Sequence, residues 1–403
     1  MISDVPPQPP DEGRSSLLTP QFAVVLVASF AYFVAIGALL PTVPRFIESE
    51  LGGNDLAVGV GVGSMAVTAA ALRPWVGRMG DVHGRRVLAV GGAVVVGVSI
   101  LGYALATSLW TLVLARLVTG AGEAAMFVGV ATAAQDLAPD DRRGEAAMHF
   151  SLALYGGLAV GPFLGESLVG HGFGTVWVVM AASCGLAALA GMWIPRGRTV
   201  EVAERRPFLQ PDALAPGVIL FLGLIPFTAF SAFVPLYAED LGYESVGGVF
   251  ALYACLVLIV RIRGSRLPDQ LGWRRGSFIA LCAVTVGIWC VAAWGSMASI
   301  WLAVVPLAVG MSLMYPSLFT AVMHAAPESE RTHAVGTFSV FFDLSTALGA
   351  PFVGLAVSLS GERGGFAVAG ALAACGLGVQ WALRDRIGRR RLQPVADDGA
   401  EAA

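Results

Sequence analysis

Few side chains in this sequence can do chemistry, and those that can are set in apolar surroundings. Arg116 and Glu123 stand seven residues apart in ARLVTGAGEAAMF. On a helix that is nearly two turns, so the two share a face about 10 Å apart. A charge at the centre of a membrane helix costs about 2.5–3.5 kcal/mol, so such a pair either lines a central cavity or bonds to packed neighbours. Asp343, in FSVFFDLSTALGAP, and Glu166, in GLAVGPFLGE, are further acids within apolar runs. Buried carboxylates of this kind can bind and release protons, and a nearby guanidinium competes with the proton. Glu123 is the favoured proton carrier, while Asp343 reads equally as a proton site or as a structural partner.

Other chemistries are excluded by the same inspection. The five histidines, His83, His149, His171, His324 and His333, form no H-x-x-x-H pair, and no G-x-S-x-G surrounds a serine. With no lysine in the chain, a nucleotide-binding G-x-x-x-x-G-K-[ST] loop is impossible. The stretch TGAGEAA mimics a dinucleotide fingerprint, but it sits inside an apolar run with no strand before it. Cys184, Cys255, Cys282, Cys290 and Cys375 all fall in apolar runs without a C-x-x-C, as small buried hydrophobes do. The reading is no enzyme, no metal site and no bound cofactor.

The elements that must position these residues are membrane helices. The chain has 403 residues, 56% hydrophobic and 13% charged, with 50 glycines. A spanning helix needs about 20 apolar residues to cross a core of about 30 Å. Twelve stretches qualify: 21–42, 56–76, 87–106, 109–134, 146–169, 175–194, 214–237, 246–262, 276–296, 299–323, 333–358 and 365–383. Residues 1–20 read as a proline-rich acidic tail, 195–213 as a polar linker, and 385–403 as a second tail. The halves 21–194 and 214–384 echo each other at an offset of 188 residues, as in Arg73/Arg261, Asp81/Asp269, Gly84/Gly272 and Arg86/Arg274. The fold class is therefore an all-α membrane protein of two pseudo-symmetric six-helix bundles, with a site expected near the midplane between them. Twenty of the 25 arginines fall on the side of the two termini and only two on the other, which predicts cytoplasmic termini. Arg73, Arg116 and Arg261 fall within helices or at their ends. A net charge of −3, with its basic residues scattered, suggests no nucleic-acid partner.

The segment GRMGDVHGRR resembles the signature loop of the major facilitator superfamily, G-x-L-a-D-r-x-G-r-r, between helices two and three. Gly77, Met79, Gly80, Asp81, Gly84, Arg85 and Arg86 fall on the pattern, Arg73 and Pro74 match its lead-in, and Leu267, Asp269, Gly272 and Arg274 form a degenerate second copy. By physics alone, glycines let helix ends turn tightly and arginines hold the loop in the cytoplasm. The resemblance implies that Asp81 latches onto the N-terminus of helix eleven in the outward-facing state, near Thr332 to Phe338. Val82 stands where the family carries a basic residue. Arg116 and Gly120 resemble a second family motif, R-x-x-x-G, in helix four.

In helix five, Gly157, Gly161 and Gly165 recur every four residues beside Pro162. Such a stripe lets another helix approach closely, and the proline bends the helix. It is similar to the antiporter motif of proton-coupled drug exporters, g-x-x-x-G-P-x-x-G-G, with Glu166 in place of the last glycine. Helix seven carries Phe227, Phe230, Phe233 and Tyr237 on one stripe, and helix ten offers Met311, Met314, Tyr315 and Phe319. These are packing residues or the wall of a cavity for an amphipathic molecule. The resulting expectation is a monomeric, proton-coupled exporter of amphipathic small molecules in a bacterial inner membrane. An importer of a sugar, organic acid or other metabolite on the same fold is the alternative, and a membrane-embedded enzyme or sensor the remote one.

Overall fold

A computed structural model describes residues 17–139, 142–196, 210–243, 245–264, 267–325 and 331–383. The helices among them are α1 (Pro20–Ser49), α2 (Asp55–His83), α3 (Arg85–Tyr103), α4 (Leu109–Asp136), α5 (Arg143–Val169), α6 (Phe173–Gly191), α7 (Pro211–Asp240), α8 (Gly247–Arg263), α9 (Leu267–Ala293), α10 (Met297–Ala325) and α11 (Arg331–Leu383). Ten of these are long and apolar enough to cross a membrane, and α8, with 17 residues, is shorter. As one rod the 53 residues of α11 would reach about 80 Å, far more than a bilayer core. Instead the chain reverses at Gly361, whose φ is +73°. A Cβ on Gly365 would meet Val357, eight residues earlier, as only a hairpin allows. The second arm runs antiparallel to α9: Arg363 donates to the carbonyls of Ala292 and Ala293, and Gln380 to that of Arg274. Counting both arms, twelve rods cross the fold, as the hydropathy of the sequence predicts.

The internal duplication extends to the backbone. Among the described residues φ is positive only at six glycines, and they form three pairs: Gly52 and Gly242, Gly84 and Gly272, Gly172 and Gly361, at separations of 190, 188 and 189 residues. A left-handed turn costs a side-chain-bearing residue energy that glycine escapes. Each half therefore places its tight turns at the same three junctions.

Packing repeats as well. In the first half α1 lies on α5 and α6, and α4 on α2 and α3; in the second, α7 lies on α11, and α10 on α8 and α9. Between the halves α2 meets α11, α5 meets α8, and α1 touches α7. Small residues bring the α2 and α11 backbones together toward one end of the bundle. A Cβ on Gly59 would strike the Ala350 carbonyl, and one on Gly63 would lie 2.9 Å from that of Ala347. At the opposite end of the same two helices, a Cβ on Gly77 or Gly336 would meet nothing within 4 Å.

Several expected boundaries move. Helix α1 continues through Pro41 and Pro44 to Ser49, and α2 continues past residue 76 to His83. Gly77 and Gly80 are thus helical rather than part of a loop, and the turn itself falls on Gly84. The helices flanking the expected linker end at Gly191 and resume at Pro211; residues 197–209, like the tails at 1–16 and 384–403, lie outside the described residues.

Candidate functional site

Three helices bring one cation and two acids together at the seam between the halves. Arg73 of α2 extends its guanidinium so that Nη2 is 2.9 Å from Asp343 Oδ1 of α11, with Nε 2.6 Å from Oδ2. The same Nη2 donates to both carboxylate oxygens of Glu123 on α4, at 3.2 Å. Phe127, one turn beyond Glu123, places its ring 4.5 Å under the guanidinium carbon. Glu123 and Asp343 are both buried. Local sequence explains the reach: Gly120, one turn before Glu123, packs so tightly on α2 that a Cβ there would strike the Met65 carbonyl. With the backbones that close, a glutamate on α4 spans the gap to an arginine on α2.

One guanidinium facing two carboxylates is electrically unbalanced. If both acids are ionised, the cluster carries a net negative charge in a region that holds unpaired charge at high cost. A single proton on either acid removes the excess. The cluster therefore joins the halves through one cation shared by two acids.

Arg116 does not join this cluster. Its Nε and Nη2 donate to the carbonyls of Gly61 and Val62 on α2, at 2.5 and 3.0 Å. The spacing of Arg116 and Glu123 leads both toward α2, but Arg116 ties down helix backbone and Glu123 takes its charge partner from the neighbouring helix. Spacing along one helix says nothing of charges on another. The signal that could have found the partner was the small set of arginines inside helices, of which Arg73 is one. Glu166 also lies apart, at the end where α2 and α11 close together. It is 3.4 Å from Arg45 of α1 and accepts from the backbone N–H of Val246, just before α8, at 3.5 Å. Arg45 also lies 3.9 Å from Glu239 of α7, so this second cluster crosses between the halves too.

Around the signature segment, Gly84 turns with φ +88°, and a Cβ there would run into the Arg196 carbonyl. Arg85 donates its backbone N–H to that carbonyl at 3.1 Å and its side chain pairs with Asp136 at 3.2 Å, while Arg86 donates to the Ile194 carbonyl. These arginines fasten the ends of α4 and α6 beside α3. In the second copy Gly272 turns with φ +68° and Arg274 lies 5.4 Å over the ring of Trp273. The side chains of Asp81 and Asp269 lie outside the described residues.

The stripe on α5 is the packing face for α1. A Cβ on Gly161 would collide with the Val34 carbonyl and approach Ala38 N to 2.7 Å; Gly157 meets Phe30 and Phe33, and Gly165 meets Ala38 and Thr42. Pro162 touches the same contact, its Cδ lying 3.1 Å from a Cβ built on Gly37. Of the aromatic candidates, Phe230 is fully buried edge-on to Phe250, and Tyr237 is buried against Phe366. Both pack the second half rather than line an open space. Phe227, stacked on Tyr253, and Met311 and Tyr315 of α10 are only half-buried. Tyr155 of α5 is half-buried as well, with the Arg261 guanidinium of α8 3.7 Å over its ring.

Comparison with known proteins agrees with this architecture. Residues 25–350 match the profile of the Major Facilitator Superfamily. An uncharacterized MFS-type transporter of Salmonella typhimurium is 27% identical over 88% of this chain and 94% of its own length. One of Pseudomonas aeruginosa is 28% identical over 96% of this chain and 99% of its own. Among solved structures, a bacterial homolog of the human lysosomal transporter Spinster, in an inward-facing and unoccupied conformation, superposes with a TM-score of 0.76 at 12% identity, covering 95% of this chain and 100% of that one. A POT family transporter bound to a thioalcohol-conjugated peptide reaches the same TM-score at 12% identity, covering 91% and 96%.

Proposed function

The chain belongs to the Major Facilitator Superfamily, and from that premise we propose that it is a proton-coupled exporter of amphipathic small molecules working by alternating access. It is a secondary transporter of a small molecule in a bilayer, and not an enzyme. The finer reading rests on one observation: Arg73 faces both Glu123 and Asp343 across the seam of the halves. A proton arriving there neutralises one acid and weakens the hold of α2 on α11, so protonation and the relative position of the halves are linked. Each proton entering down a 100 mV potential supplies about 2.3 kcal/mol, and export against a gradient draws on it. The outward direction is supported by the antiporter-like stripe from Gly157 to Gly165. In this reading the arginine-rich end, with both termini, faces the cytoplasm of a bacterial cell, and Asp81 acts as the latch of the outward-facing state. Arg45 and Glu166 then close the outer end.

Transport into everted membrane vesicles, with a panel of amphipathic compounds and with or without a pH gradient, tests the proposal. Accumulation that collapses with the gradient is expected. Accumulation only in the opposite vesicle orientation would make the chain an importer.

A further inference from the structure

The 188-residue repeat that relates the halves carries Arg73 onto Arg261, Asp343 onto Tyr155 and Glu123 onto Met311. The geometry is repeated as well: Arg73 of α2 reaches across the seam to α11, and Arg261 of α8 reaches across it to α5. What differs is charge. Arg73 meets two carboxylates, whereas both equivalent positions around Arg261 are uncharged. Among the described residues no carboxylate lies within ion-pair distance of Arg261, and its Nε and Nη2 are buried without a hydrogen-bond partner. Its guanidinium carbon lies over the face of the Tyr155 ring, at 3.7 Å. A ring quadrupole attracts a cation but leaves the N–H donors of the guanidinium unfilled.

We infer that Arg261 is the substrate's anchor, and that the transported molecule carries a carboxylate or similar anionic group that takes the place of the two missing acids. Arginine presents a planar fork of donors that fits a carboxylate with two parallel hydrogen bonds. Surfaces for the rest of such a molecule lie on the helices packed at this seam: Tyr155 under Arg261, Phe227 stacked on Tyr253, and Met311 and Tyr315 one turn apart on α10, all half-buried. The substrate class is then an amphipathic organic anion with an aromatic or aliphatic body. The two pseudo-equivalent arginines divide the work: one holds the proton-bearing acids and the other holds the substrate. This assignment rests on the transporter reading above and names the chemistry of its substrate.

The test uses binding to the purified full chain in detergent, which requires neither a proton gradient nor a transport direction. The probes are 2-naphthylacetate, its neutral amide and 2-naphthylmethylamine, followed by thermal shift and intrinsic fluorescence. The carboxylate is expected to raise the melting temperature and to bind at least tenfold more tightly than the amide or the amine. Arg261→Met should abolish that preference with unchanged or raised intrinsic stability, because it removes a cation without a counterion. Tyr155→Asp should supply the counterion from the protein itself, giving a folded chain that no longer binds the carboxylate. Equal binding of all three probes, or of none, would overturn the assignment, as would carboxylate binding that survives in either variant. Loss of proton-driven transport with carboxylate selectivity intact would instead count against the coupling reading alone.

Discussion

Arg73 and Asp343, 270 residues apart in the chain, meet at 2.9 Å across the seam between the two halves. Because Arg73 also donates to Glu123 of its own half, one guanidinium contacts two buried acids, one from each half.

Removing either acid's charge should uncouple transport. Glu123→Gln and Asp343→Asn are each expected to abolish uphill accumulation while preserving downhill exchange of substrate. If Glu123→Gln still accumulates substrate in energised vesicles and Asp343→Asn does not, the proton belongs to α11 and Glu123 is structural.

Removing the cation should cost stability. Arg73→Met leaves two buried carboxylates without their partner, and breaking a buried ion pair this way costs about 3–5 kcal/mol. The triple change Arg73→Met, Glu123→Leu, Asp343→Leu should recover most of that loss in thermal unfolding, yet remain inactive in transport. A triple variant no more stable than the single one would show that the cluster is held by more than its charges.

The second cluster should control the opposite end. Glu166 ties Arg45 to the backbone at the start of α8, so Glu166→Gln should loosen the contact between α5 and α8. Paired spin labels at that end of α5 and α8 are expected to report a longer mean distance in the variant. An unchanged distribution would leave this cluster with no part in gating.

Glycine positions make two sharper tests of the packing. Gly84→Ala places a side chain at φ +88° and against the Arg196 carbonyl, and Gly161→Ala places one against the Val34 carbonyl. Overpacking of this kind costs about 1–3 kcal/mol, so both variants should melt several degrees below the parent, whereas Gly77→Ala, with open space around it, should not. Should all three melt alike, the close approach of α5 to α1 is not what the stripe provides.

Hydropathy alone determined that this chain crosses a membrane and located its helices to within several residues at their ends, because burying apolar length in hydrocarbon is a local property of each segment. The same reading found the repeat and put Arg73, Arg261, Glu123 and Asp343 inside or beside apolar runs, since charges there stand out against their surroundings. Tertiary structure decided which of these charges meet. Arg116 looked like the partner of Glu123 from their spacing on one helix, but each of the two side chains reaches α2, one to its carbonyls and the other to Arg73. Pairing across helices depends on how closely backbones approach, and that is fixed by small residues such as Gly120 seated against Met65, a contact that no single segment encodes. The unequal fates of two repeat-related arginines follow from the same fact: the repeat put Arg73 and Arg261 in equivalent places, and the residues folded opposite them made one an ion pair and left the other a cation over a ring.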